Sequence, residues 1–507
     1  MANALASIQS FGGIDADTDQ LLDECFESHA AFLDANERRR FLIIGRKGSG
    51  KTAIFRKILR SPACDVFTLG HTFRDYPWHH HDRQIRSGVP QQECFIHSWK
   101  YLILIGLAKI LVNFDNSQPW NEVAADHLSK IEAFIIDTYG SKDPDIHQIF
   151  QPATKLKISP TFSAKLGPIT AGASPTIIPI SDLPAIAPEV NNAISEKIIG
   201  SLNPDIKYFV LFDELDLGFD PKDQNYSLRL IGLILAARDL NLMARDSGRL
   251  LNVIVFLRDD IYERLNFEDK NKLTESALSR ITWDAPGLPH TLKQLMERRI
   301  AKVLDVDPSG AWEVAFDEAK EMAGHQTKYQ HITDRTMLRP RDMIKFSNAI
   351  LDVHKLNAGR GVQFANEDVA GALKGYSDYL LNELADEVFK HIDGYRRSFD
   401  LLRELEALQF SMDEFEQVCQ KRNDLIEAGH GPKEILAELF EFSVVGFYQP
   451  GGGGYGGAEY VFRYKSPQAS FNPNAGNYQV HLGLQKALGL KRYRRTSKSA
   501  DGDEEGN

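Results

Sequence analysis

The chain predicts an α/β fold, a parallel sheet flanked by helices, followed by a run of helices and a smaller mixed domain. Two observations lead there. Short apolar runs recur between stretches of helical periodicity, and the first of them stops at a glycine-rich turn that opens a helix. Residues 41–44 (FLII), 65–69 (DVFTL), 208–212 (YFVLF) and 251–257 (LNVIVFL) are the candidate strands. Runs of this kind, apolar on both faces, suit a sheet covered on each side.

Composition narrows the class. The 507 residues carry 59 basic and 70 acidic side chains, a net charge of −11, so any nucleic-acid contact is regional rather than spread over the surface. With 43% hydrophobic and 25% charged residues the chain reads as globular, long enough for roughly three domains. Cys25, Cys64, Cys94 and Cys419 show no CxxC spacing and read as buried thiols in a reducing compartment. The start has no basic region followed by an apolar core, and the greasiest run, 101–112, is too short for a bilayer and contains Lys109. A cytoplasmic protein without a membrane partner is expected.

Gly45-Arg46-Lys47-Gly48-Ser49-Gly50-Lys51-Thr52 fits GxxxxGK[ST] at every fixed position, with a strand before it and Ala53, Ile54 and Phe55 starting a helix after it. Gly48 and Gly50 let the backbone wrap a phosphate, with N–H groups and the helix N-terminus facing the anion. Lys51 then reaches the β- and γ-phosphates, and the Thr52 hydroxyl ligates Mg²⁺. Such a loop calls for an acidic residue at the end of another buried strand. Asp213 supplies it as the second metal-side group, and Glu214, next in the chain, is the candidate general base for an attacking water. Asp216 and Asp220 read as turn and cap residues. The string Asn271-Lys272-Leu273-Thr274 lacks the aspartate of a guanine-reading motif, so ATP is preferred over GTP.

Around this centre, residues 14–35 suggest an amphipathic helix, 98–113 a buried helix and 227–240 another. Trp78, His79, His80, His81 and Asp82 suggest a polar loop rather than a metal site. Residues 150–190 mix β-branched runs with Pro, Gly and Ser and read as an insertion of small strands or loop. Arg258 and Asp259, at the end of the 251–257 strand, are candidate γ-phosphate sensors, and Arg280 is a candidate arginine finger for a neighbouring subunit. Residues 289–374 turn helical, as a lid. Within them Leu338-Arg339-Pro340-Arg341-Asp342 places two arginines at a helix start, either to close onto nucleotide or to form a capping and salt-bridge cluster. Helices at about 395–409, 412–428 and 432–442 precede two β-like runs around the tip QPGGGGYGGAE, a winged-helix pattern. In the second run Tyr460, Phe462 and Tyr464 share one face and Val461, Arg463 and Lys465 the other. That basic face and 491–495 (KRYRR) are candidate DNA contacts, with protein docking the alternative.

The motifs GRKGSGKTAIF at 45–55, FDELD at 212–216, FLRDDIYERL at 256–265 and RPRD at 339–342 together resemble bacterial P-loop ATPases of the ASCE division, close to the AAA+/origin-recognition-like and STAND groups. The resemblance spans roughly residues 14–490. With the patterns above, the expected domains are a P-loop ATPase domain at 1–285, a helical lid at 286–375, a winged-helix-like domain at 376–490 and a basic, then acidic, disordered tail at 491–507. The resemblance implies a nucleotide contact from Arg339 or Arg341 and action in anti-phage or DNA-associated systems. The expected activity is Mg-ATP hydrolysis driving a switch or motor, with DNA, a protein partner or a second copy as candidate partners. Two alternatives stand beside it: a module that binds ATP without turnover, and a DNA-binding regulator in which ATP is secondary.

Overall fold

The computed structural model describes residues 4–492 apart from 62, 74–90, 146–147, 150–154, 159–175, 180–182, 218–222, 285–290, 358–360, 390, 393, 427–430 and 452–456. The histidine run at 79–81, Asp220, most of the glycine tip and the tail from 493, including Arg494, lie outside the described residues. The chain divides into two compact units, Leu22–Thr282 and Met1–Leu21 with Trp283–Asn507.

The Leu22–Thr282 unit is built on five parallel strands. These are β1 (Leu42–Ile44), β2 (Val66–Thr72), β5 (Lys207–Asp213), β6 (Leu250–Leu257) and β7 (Leu278–Arg280), in the order β2-β5-β6-β1-β7. Side chains alternate across the sheet, as the strand period of two requires. Tyr208, Val210 and Phe212 of β5 and Val253, Val255 and Leu257 of β6 face one core, formed with the helices Gln91–Asn113 and Gln224–Asp246. Phe256 points to the other face and meets Phe55, on the helix Lys51–Leu59, edge to face at 6.0 Å. The strands read from sequence recur here within two or three residues at each end. Three-residue β7 carries too little pattern to be read alone and forms only by pairing with β1.

The Gln91–Asn113 helix is longer than its greasiest stretch. Gln92–Asn113 is long and apolar enough to cross a membrane by length and composition, but 72% of an apolar 18-residue stretch within it is buried inside the protein. Lys109 leaves the core by its stem, and its ammonium donates to the Pro144 carbonyl at 2.7 Å and pairs with Asp143 at 2.6 Å. In the insertion, β3 (Lys155–Ile158) and β4 (Thr176–Pro179) pair antiparallel. Cys25, Cys94 and Cys419 are buried, whereas Cys64 is exposed, against the expectation that all four are buried.

Residues 14–28 do not form the helix expected of them, and only Ala30–Asn36 is helical there. The aspartates capture the backbone instead: Asp19 Oδ1 accepts from the N–H groups of Gly13 and Leu21, and Asp15 accepts from Asp17. Asp19 is itself fixed by a buried ion pair with Arg299 at 2.6 Å.

In the second unit the long helices are Leu292–Leu304, Pro340–Leu356 and Asn366–Val388. The segment at 312–323, also expected to be helical, stops at Ala315. Phe316 leaves the helix to bridge Phe364, and Trp312 stacks on it at 3.9 Å. Farther on come the helix Tyr395–Glu404, β8 (Gln409–Phe410), the helices Met412–Lys421 and Pro432–Glu441, β9 (Val445–Gln449), β10 (Glu459–Val461) and β11 (Tyr478–Val480). The four strands form an antiparallel sheet in the order β10-β9-β11-β8. β10 ends at Val461, so the alternation expected through Lys465 breaks. Val461 and Phe462 are both buried, and Arg463 bonds the Ala469 carbonyl at 2.5 Å.

Candidate functional site

The site grows from the end of β1. Leu42, Ile43 and Ile44 are fully buried between β6 and β7, and the ladder continues one step as the Gly45 N–H donates to the Leu257 carbonyl at 3.2 Å. The chain then turns sharply. Gly48 has φ 77° and Gly50 φ 106°, and Gly50 is the N-cap of the Lys51–Leu59 helix. A value of 106° suits glycine and almost no other residue. The two left-handed glycines let the loop curl back so that Lys51 Nζ donates to the carbonyls of Gly45 at 2.7 Å and Arg46 at 2.9 Å. Ser49 is buried inside the curl, and a Cβ at Gly45 would come within 2.4 Å of its hydroxyl.

The carboxylate expected opposite this loop is there. Asp213 ends β5 and is 2% exposed. The Thr52 hydroxyl and the Glu214 N–H hydrogen-bond its carboxylate, yet burial outweighs them and pushes its pKa up to about 6. Its Oδ2 is buried with no hydrogen-bond partner among the described residues. A buried carboxylate oxygen left unmatched beside a threonine hydroxyl fits a hard cation, which takes oxygen ligands and keeps several waters. Thr52 and Asp213 are therefore the residues that would hold Mg²⁺. Among the described residues no group of three or more His, Cys, Asp or Glu could hold a metal by itself. Lys51 is drawn below the ordinary lysine range by burial, with Asp216 and Asp213 opposing the effect.

Glu214 follows in a left-handed conformation, φ 58°, which turns the chain out of β5 directly after Asp213. Arg258, at the end of β6, is buried and gripped by Asp260, at 2.7 and 3.0 Å, and by Asp216 at 3.3 Å. Asp259 is pushed above the usual carboxylate range by burial and then by Asp260, with Arg46, Lys51 and Arg280 opposing. Arg280, at the end of β7, lies 3.1 Å from Glu263 and 3.9 Å from Asp259. The carboxy ends of β1, β5, β6 and β7 thus gather Arg46, Lys51, Asp213, Asp216, Arg258, Asp259 and Arg280 into one charged cluster, with the Thr52 hydroxyl on Asp213 and Glu214 next to it in the chain. Asp216 is the member that sequence reading set aside as a turn residue. Its only signal is position, three residues past the carboxylate that ends a buried strand.

The two arginines of RPRD belong to the other unit. Arg339 is 1% exposed, its guanidinium bonded to Asp342 at 2.9 and 3.1 Å and to Glu387 at 2.5 Å. Arg341 pairs with Glu383 at 3.1 Å and donates to the Ile14 carbonyl at 3.2 Å. Both engage in the arrangement of a capping and salt-bridge cluster. Of the basic residues expected on the last sheet, Arg463 lies 3.5 Å from Glu441 and Lys465 4.0 Å from Asp334.

Residues 290–385 match the FunZ-associated C-terminal helical domain. The transposon gamma-delta 80.3 kDa protein of Escherichia coli (strain K12) is 22% identical over 479 residues, which cover 88% of this chain and 61% of that protein. The chain thus spans about three-fifths of the length of that relative. Among solved structures, the Aeropyrum pernix Orc1 protein in complex with DNA aligns with 90% of this chain and 89% of its own, at 12% identity and a TM-score of 0.34.

Proposed function

We propose that the chain binds Mg-ATP between the 45–52 loop and the Asp213 carboxylate and hydrolyses it to ADP and phosphate. The observation that carries this reading is the junction of Thr52 with Asp213, buried and hydrogen-bonded, with one carboxylate oxygen unmatched and the Lys51 ammonium nearby. Gly45, Arg46, Lys47, Gly48, Ser49 and Gly50 form the cradle and Lys51 meets the terminal phosphates. Mg²⁺, when bound, neutralises charge on the β- and γ-phosphates. Glu214 then takes the proton of the attacking water, while Arg258 and Asp259 register the γ-phosphate. One additional strand, β6, separates the loop's strand from the strand of Asp213, which supports the likeness to the ASCE division.

The helical stretch from 286 serves as a lid and the elements from 376 to 490 as a winged-helix-like domain, a reading supported by the order helix, strand, helix, helix and antiparallel strands. A nucleotide-driven switch acting on DNA in the cytoplasm is the setting this supports. The similarity to a transposon-encoded protein favours it over a purely protein-directed switch.

The test is ATP affinity and phosphate release on three variants. Lys51→Ala loses ATP binding. Asp213→Asn loses the Mg²⁺ dependence of binding. Glu214→Gln binds ATP as before and turns over about 10²- to 10⁴-fold more slowly, the usual contribution of a positioned general base. Full turnover by Glu214→Gln would remove it from the chemistry, and slow turnover by the native chain unaffected by Glu214→Gln would favour the module that binds without hydrolysis.

A further inference from the structure

The Leu22–Thr282 unit carries a second concentration of charge, at the opposite edge of its sheet. A cavity of about 730 Å³ opens beside the amino ends of β1 and β6, where Phe41, Leu251 and Asn252 line it. The phosphate loop, Asp213 and Arg258 follow the carboxy ends of the same parallel sheet. The length of β6, eight residues at about 3.3 Å each, lies between the two.

The cavity is lined by Arg38, Arg39, Arg40, Arg245, Arg249 and Lys272, with Arg238 alongside, against only Glu37, Asp239 and Asp269. That is a local surplus of positive charge in a chain whose net charge is −11. Part of it is engaged. Arg39 reaches Asp34 and Glu37 at 3.3 and 3.2 Å, Arg238 lies 2.9 Å from Asp239, and Arg40 donates to the Glu275 carbonyl at 2.5 Å. The rest is spare. The side chains of Arg38 and Lys272 have no hydrogen-bond or ion-pair partner among the described residues, and Arg249 Nε is buried with none, its guanidinium lying 4.8 Å over the Trp120 ring. Partial desolvation, with no carboxylate to oppose it, draws Arg38 below the ordinary guanidinium value. Arg38 also sits at φ 61°, a strained conformation for a residue with a side chain, so the chain keeps an unpaired cation here at a cost.

Unpaired cations packed around one concavity repel each other and focus potential outward, the arrangement that attracts polyanions. Guanidinium forks match phosphate oxygens two at a time, and several forks in one cavity fit several phosphates rather than a lone carboxylate. We propose that this cavity is a second anion site that holds consecutive phosphates of a polyanionic chain, separate from the triphosphate at Lys51. Two sources carry that chemistry: a nucleic-acid backbone and free polyphosphate.

The experiment uses the full chain carrying Lys51→Ala, so that the loop at 45–52 does not take up phosphate, with and without Arg38→Glu and Lys272→Glu. Both positions are exposed, and a thermal melt checks the fold. Fluorescent single- and double-stranded oligonucleotides and inorganic tripolyphosphate are titrated from about 50 to about 200 mM salt. The expected result is at least a tenfold loss of oligonucleotide affinity, with a salt slope shallower by about 2. Loss for tripolyphosphate alone keeps the site and assigns it to free polyphosphate, and unchanged affinity for every ligand overturns it. Lys272→Glu alone, on a chain that melts normally, repeats the test if the double variant does not fold. Arg38→Glu and Lys272→Glu in the otherwise native chain leave Mg-ATP affinity unchanged, so a failure here is distinct from a failure of the reading at Lys51.

Discussion

Lys51 and Asp213 are both ionisable groups taken out of water, and each lowers the cost of the other's charge. The same logic, applied to Arg339, gives a different outcome. Its guanidinium is buried with two carboxylates, Asp342 and Glu387, so it is bound into its own unit. Arg339→Ala leaves two buried acids without their cation and is expected to destabilise by about 3–5 kcal/mol, read as a lowered denaturation midpoint. Arg341, half-buried and paired once, should cost about 1 kcal/mol or less on truncation. Because Arg341→Ala keeps the fold, its ATP affinity is the measurement that decides whether this arginine also meets nucleotide, and an unchanged value assigns the pair to structure alone.

At the scale of elements, close approach decides more than periodicity. The helices Gln91–Asn113 and Gln224–Asp246 meet where Gly232 faces Phe95, and a Cβ at Gly232 would fall 2.7 Å from the Phe95 Cβ and 3.1 Å from its backbone carbonyl carbon. Backbone cannot yield as a side-chain tip does, so Gly232→Ala is expected to cost about 1–3 kcal/mol by forcing the helices apart. Equilibrium denaturation checks it, and an unchanged midpoint would show that the pair has room to slide. The strands and both long helices were legible in sequence because their patterns are local and regular. Residues 14–28 and 316–323 were not. There Asp19 is claimed by Arg299, and Glu318 accepts from the Lys328 N–H at 2.6 Å and the Tyr329 N–H at 3.0 Å, partners far along the chain that outbid a helix.

For the whole molecule, stability should follow pH and nucleotide in readable ways. His331 is buried with neither ring nitrogen hydrogen-bonded among the described residues, and burial, then Arg335 and Arg492, draws its pKa from 6.5 down to about 4. Its folded pKa lies below the unfolded one, so the native state resists protonation. The stability this group contributes is complete above about pH 6.5 and is lost as pH falls toward 4. His331→Gln is expected to flatten that part of the melting-temperature profile, and a profile unchanged by the substitution would place the acid sensitivity elsewhere. Mg-ATP at 100 times its Kd should stabilise the native chain by about 2.7 kcal/mol and leave Lys51→Ala unmoved, as calorimetric scans would show.

The 45–52 glycine turn, its following helix and the acidic strand end were each written in consecutive residues, because a sharp strand-to-helix turn needs glycines at fixed local spacing. Folding alone could decide the rest. Parallel pairing set β6 between β1 and β5 and so brought Asp216, Arg258, Asp259 and Arg280 to one edge. The same packing drew cations from 38–40, 238–249 and 272 around a single cavity at the other. Charges that distant along the chain carry no joint pattern until burial has placed them within reach of each other.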